Sequence, residues 1–100
     1  MDACTLPSAE RPLRLAEFET LFATALRAQH RLSPTRLRWT LDPAAEATAR
    51  DLTARESACC TFFGFTFTAA QGGLHLDVRV PLAHVVVLDA LSAIAARASQ

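Results

Sequence analysis

Apolar residues recur at helical spacing early in the chain. Leu15, Phe18, Phe22 and Leu26 stand three or four apart, with Leu21 beside them and Arg14, Glu17 and Arg27 outside. Such spacing makes one apolar stripe, so a helix is expected over residues 11–31. The period then changes. After a turn at Ser33 and Pro34, Leu37, Trp39 and Leu41 alternate with Arg36, Arg38 and Thr40, which predicts a half-buried strand over 36–42. Asp42 followed by Pro43 is a helix start, because the carboxylate caps free N–H groups and proline suits the first helical position. That helix is expected over 43–60. "FGFTFTA" and "LHLDVRVP" alternate on either side of "AQGG", whose glycines permit a hairpin turn between strands over 63–69 and 74–81. In "LAHVVVLDALSAIAARA", Val87, Leu88, Leu91, Ile94 and Ala95 form the stripe of a last helix over 82–98.

Ahead of Pro7, "ACTLP" is short and extended in character, and counted as a strand it makes the order β-α-β-α-β-β-α. From Leu37 onward this order follows the βαββα part of a ferredoxin-like sandwich, with "ACTLP" supplying the missing strand from the other end of the chain. The expected fold class is therefore α+β, a small antiparallel sheet with helices on one face, forming a single domain over 1–100. Leu15, Phe18, Phe22, Leu26, Trp39, Leu52, Leu76, Val78, Leu88, Leu91 and Ile94 are its expected core.

Composition narrows the function classes. Hydrophobic residues make up 51% and charged residues 20%, which suits a folded globule rather than a disordered tail. Ten basic residues, all arginine, balance ten acidic ones, so no general attraction to nucleic acid or an anionic membrane is expected. "MDACTLPSAERP" lacks the layout of a secretory signal, and "VVVL" is far too short to cross a bilayer. A cytoplasmic protein is expected. Three cysteines, Cys4, Cys59 and Cys60, are an odd number and argue against a disulfide framework.

The chemistry concentrates in "RESACCTFFGFTFT", where Cys59 and Cys60 are adjacent. Free cysteine is commonly a small buried hydrophobe, and Cys59 lies two helical turns after Leu52, on the same face. Cys60, about 100° further round, falls nearer the rim with Thr53 and Glu56. A disulfide between them is disfavoured, since consecutive Cα atoms sit about 3.8 Å apart against the usual ~4.4–6.8 Å of a bridge. Soft-metal capture fits better: thiolates select Cu(I), Zn(II) and similar ions, and Hg(II) is satisfied by two opposed sulfurs. Zinc wants four ligands, and no CxxC or spaced His pair is present.

The electrostatics are mixed. A helix C-terminus disfavours thiolate, Arg55 one turn before Cys59 favours it, and Glu56 one turn before Cys60 opposes it while offering an oxygen or a proton acceptor. Ordinary thiols that a thiophilic metal deprotonates are expected. Phe62, Phe63, Phe65 and Phe67 are read mostly as core, with one or two forming an apolar wall. His75 and His84 read as surface or satisfied residues, and His30 as a solvated residue near a helix end.

"ACTLP" with its Arg-rich helix, "RESACCTFFGF", "LHLDVRVP" and "LDAL" resemble, over nearly the whole chain, the MerH-like mycobacterial mercury-trafficking proteins; CC-x-FF-x-F is the distinctive stretch. The resemblance implies a ferredoxin-like relative of copper metallochaperones without their M-x-C-x-x-C loop. It implies Hg(II) bound by Cys59 and Cys60 as cargo and handed to a dithiol acceptor such as a mercuric reductase, with no catalytic turnover, no nucleic acid and no membrane insertion. Metallochaperones carry their thiols on a loop ahead of a helix, whereas here the pair falls at a helix end. Cys4 is a possible auxiliary thiol, and Arg55 or Glu56 is expected to modulate proton loss. Two alternatives stand beside this: a Cu(I) chaperone-like protein, and an interaction or regulatory module whose cysteines are core. A cysteine-dependent enzyme needs an oriented base, and no Cys-His-Asp signature is present.

Overall fold

Trp39 sits at the centre of the molecule, fully buried, and the elements are best placed around it. The computed structural model describes residues 10–59 and 62–98, with side chains over 16–58 and 62–98. Helix α1 (Glu10–Ala25) leads directly into strand β1 (Leu26–Ser33), which turns back as β2 (Arg36–Leu41). A short 3-10 turn (Pro43–Ala45) opens α2 (Glu46–Cys59); β3 (Gly64–Ala70) and β4 (Gly73–Arg79) form a hairpin, and a second 3-10 turn (Leu82–His84) opens α3 (Val85–Ala98).

The alternation in β2 and β4 does what the pattern predicts. Leu37, Trp39 and Leu41 pair in register with Val78, Leu76 and Leu74, all buried, and Phe65 and Phe67 of β3 extend the same face. Helices α1, α2 and α3 cover that face, with α1 between the other two. Phe22 and Phe18 of α1 place their ring centroids 4.7 Å and 6.4 Å from that of Trp39. Leu88, Leu91 and Ala95 close the core from α3. Of the expected core, Leu26 and Ile94 are only partly buried, and the Leu15 side chain lies outside the described residues.

Two expectations are corrected. The first helix does not run over 11–31: it ends at Ala25, and Leu26–Ser33 is a strand. The helical stripe lapses after Leu26, because Gln29 and His30 occupy the positions where it would continue. Pairing with β2 satisfies that backbone instead, with irregularities between Leu26 and Ala28 and between Arg31 and Ser33. His30 is accordingly on a strand, not near a helix end.

The ferredoxin-like order is the second correction. The described elements run α-β-β-α-β-β-α in a sheet of order β1-β2-β4-β3, with every neighbouring pair antiparallel. β4 bonds to β2 on one side and β3 on the other, so the interior of the sheet is filled and a further strand has only the β1 and β3 edges to join. "ACTLP" lies outside the described residues.

The missed strand is tied to α3 by its own side chains. Trp39 Nε1 donates to Gln29 Oε1 at 2.7 Å, and Gln29 Nε2 donates to the Ser92 carbonyl at 3.1 Å. Arg31 Nη2 reaches Asp89 Oδ1 at 2.8 Å. Gln29→Leu strands a buried indole N–H, and a loss of about 1–3 kcal/mol is expected in urea denaturation.

On the other side of the sheet, Arg38 donates to Asp77 through Nε at 2.7 Å and Nη2 at 2.9 Å. These hydrogen bonds hold the Asp77 carboxyl below its ordinary value, partial burial opposing them and the charges of Arg38, Arg36 and His75 assisting. A depressed folded-state pKa stabilises above the unfolded value and is lost as pH falls through the folded one. Asp77→Asn is therefore expected to cost about 1–2 kcal/mol at neutral pH, and wild type and variant should draw together in urea titrations as pH falls from the ordinary carboxylate pKa to below the depressed folded-state value.

Candidate functional site

Cys59 is the last residue of α2, and the start of that helix is built as its sequence suggests. The Asp42 carboxylate accepts from the Ala44 N–H at 3.0 Å, with Pro43 in the first turn. Further along, Glu46 pairs with Arg50 at 2.8 Å and Asp51 with Arg55 at 3.0 Å, each one turn apart. Ala49, Leu52 and Thr53 face the core, and the Thr53 hydroxyl donates to the Ala49 carbonyl at 2.9 Å. The last residue of the helix is Cys59, in agreement with the expected end near residue 60. The Cys59 side chain, Cys60 and Cys4 lie outside the described residues.

Arg55 has a different environment from the one its spacing suggests. Its Nη2 donates to Glu17 Oε1 at 2.6 Å and its Nη1 to Glu17 Oε2 at 3.0 Å, while Nε donates to Asp51 Oδ2 at 3.1 Å. The Glu17 hydrogen bonds raise the guanidinium's proton affinity well above its ordinary value, with burial opposing and the Asp51 and Glu17 charges assisting. Two carboxylates surround one cation, so the group carries a net negative charge. Its pull on a thiolate one turn away is largely cancelled. Glu17 is 38 residues from Arg55 in sequence, and no local pattern signals the pairing. Glu56 is half-buried on the same helix.

Beyond the pair, the chain resumes in a ladder of rings. Phe62 stacks face to face on His84, with centroids 3.9 Å apart and planes at 2°. Phe63 follows at 4.7 Å from Phe62, and Phe65 at 5.1 Å from Phe63. All are half-buried and packed against the core, as is Phe67, over whose ring Arg50 sits at 4.5 Å. These phenylalanines, expected to be mostly core, are thus partly buried at its margin, as Leu26 and Ile94 are. His84, expected to be a surface or satisfied residue, is half-buried, and the fold lays its imidazole against a ring two residues past Cys60 in sequence. Histidine and phenylalanine are 22 positions apart, and only the packing of the second 3-10 turn brings them together.

His30 and His75 are on the sheet, on the face away from the helices. Among the described residues no group of three or more His, Cys, Asp or Glu side chains is arranged to hold a metal ion. No helix of the described residues is long and apolar enough to cross a membrane. Comparison with protein-family models, curated proteins and solved structures brings no match.

Proposed function

We propose that this protein binds Hg(II) through the adjacent thiols of Cys59 and Cys60 and passes it on by thiol exchange. One observation carries the reading: Cys59 closes α2, Cys60 follows it, and the chain then enters a stacked aromatic ladder. Two sulfurs satisfy Hg(II) while leaving its coordination sphere open to an incoming thiolate. The incoming sulfur adds before a protein sulfur leaves, as in the attack step of thiol–disulfide exchange. The pinning of Arg55 by Glu17 and Asp51 supports ordinary rather than pre-activated thiols, so the metal itself displaces the protons. The resemblance to mercury-trafficking proteins supports a dithiol acceptor such as a mercuric reductase, a cytoplasmic setting and no turnover. Cys4 is an auxiliary thiol on this reading, and Glu56 a proton acceptor. Cu(I) is the alternative cargo for the same pair.

The half-burial of Phe62 and Phe63 favours a rival in which the cysteines are packing residues of an interaction module. A thiol count on native protein, followed by mass spectrometry with one equivalent of Hg(II), separates the two. Rapid titration of the pair and one metal retained per chain are expected. Thiols that react only on unfolding, with no retained metal, would leave the packing reading in place.

A further inference from the structure

The register sorts polar side chains onto the sheet face away from the helices. Its rows read Ala28–Thr40–His75–Thr68, His30–Arg38–Asp77–Thr66 and Ser33–Arg36–Arg79–Gly64 across the four strands. His30, Arg36, Thr66, Thr68 and Arg79 are exposed. The three helices pack on the opposite face.

The charge on this face is one-sided. Among the described residues of the sheet, Arg36, Arg38 and Arg79 share it with a single carboxylate, Asp77, in a chain whose formal net charge is +0. Asp77 is already committed to Arg38 at 2.7 Å and, more weakly, to Arg36 at 3.7 Å. Arg79 makes no ion pair with the described residues; its guanidinium lies across Gly64, where a Cβ would stand 3.0 Å from Nη2. Arg36 and Arg79 are direct register partners. Their Cβ atoms are thus about 5 Å apart, so two exposed guanidinium groups leave the sheet from neighbouring positions at this end of the face.

We propose that this end of the open face docks an acidic protein segment, a carboxylate of which is held between Arg36 and Arg79. Guanidinium forks match carboxylate geometry and take it bidentately. A single-stranded nucleic acid fits less well. Among the described strand residues the face carries no Phe, Tyr or Trp on which bases could stack, and Asp77 interrupts the track a phosphate backbone would follow. The inference stands independently of the cysteine chemistry.

The test is fluorescence anisotropy of a labelled octaglutamate peptide, and of a labelled thymidine oligonucleotide of equal charge, at low and near-physiological salt. Saturable, salt-sensitive binding of octaglutamate is expected. Arg36→Ser with Arg79→Ser should weaken it at least about tenfold, since complementary charge governs such encounters, while Arg97→Ser on α3 should leave it unchanged. If the double variant does not fold, Arg36→Gln and Arg79→Gln decide singly, each expected to weaken binding about threefold. The proposal is overturned by absent octaglutamate binding, by equal binding in the arginine variants, or by an oligonucleotide bound as tightly through the same two arginines.

Discussion

Trp39→Ala is expected to remove about 3–5 kcal/mol of stability, the range for deleting a buried aromatic from a close-packed core. Several losses coincide at this position. The indole is fully buried and fills the space between the sheet and α1, with Phe22 4.7 Å and Phe18 6.4 Å away by ring centroid. Its register partners are Gln29 on β1 and Leu76 on β4, so it joins the edge hairpin to the sheet interior. Its N–H also holds Gln29, whose amide in turn holds α3 through the Ser92 carbonyl. Removing the ring therefore opens a cavity and loosens the connection of β1 to α3 together. Against a total of about 5–15 kcal/mol for a domain, a midpoint lowered by roughly 15–30 °C is expected in a thermal melt. Trp39→Phe keeps most of the packing and loses the donor, so a smaller loss of about 1–2 kcal/mol is expected. Equal stability of Trp39→Ala and wild type would remove Trp39 from the centre of the core.

Retention of Hg(II) against competing monothiols is expected to collapse when either Cys59 or Cys60 becomes Ser, with little change in the melt. With both sulfurs present, loss of one Hg–S bond leaves the metal tethered by the other, and recapture is intramolecular. Such linkage raises overall affinity by about 10²–10⁴ over a single contact when the geometry suits. The concentration of glutathione that strips half the metal should therefore fall by about a hundredfold or more in each single variant. A dithiol competitor has the same advantage as the protein and should remove the metal from wild type as well. Arg55→Gln is a useful contrast. It should weaken the α1–α2 contact by removing the Glu17 ion pair, and, because both sulfurs stay in place, it should lower Hg(II) retention far less than either Ser variant. If the double Ser variant holds Hg(II) as tightly as wild type under glutathione, the pair is packing and the trafficking proposal fails.

Much of the architecture was legible in local pattern. Leu37, Trp39 and Leu41 alternate with polar residues because one face of β2 is buried, and that alternation needs no knowledge of partners. Asp42 and Pro43 start α2 through contacts within the next two residues. "AQGG" turns the β3–β4 hairpin, where Gly72 takes a φ of 75° that a side chain would resist. The stripe of α3 likewise announces its buried side through Leu88, Leu91 and Ala95. The adjacency of Cys59 and Cys60 is a property of the sequence itself, and so is the phenylalanine run behind them.

Other features depended on residues far apart in the chain. Leu26–Ser33 has a weak apolar pattern, and its strand state comes from hydrogen bonds to β2 and from Gln29 and Arg31 reaching α3. The sheet order, with β4 between β2 and β3, follows from which strands find each other's edges. The pinning of Arg55 by Glu17, the stacking of Phe62 on His84, and the meeting of Arg36 with Arg79 are likewise encounters across the chain. The period of a segment reports which of its sides is buried. It does not report what that side is buried against, because the partner is chosen by packing and pairing energies between segments distant in sequence.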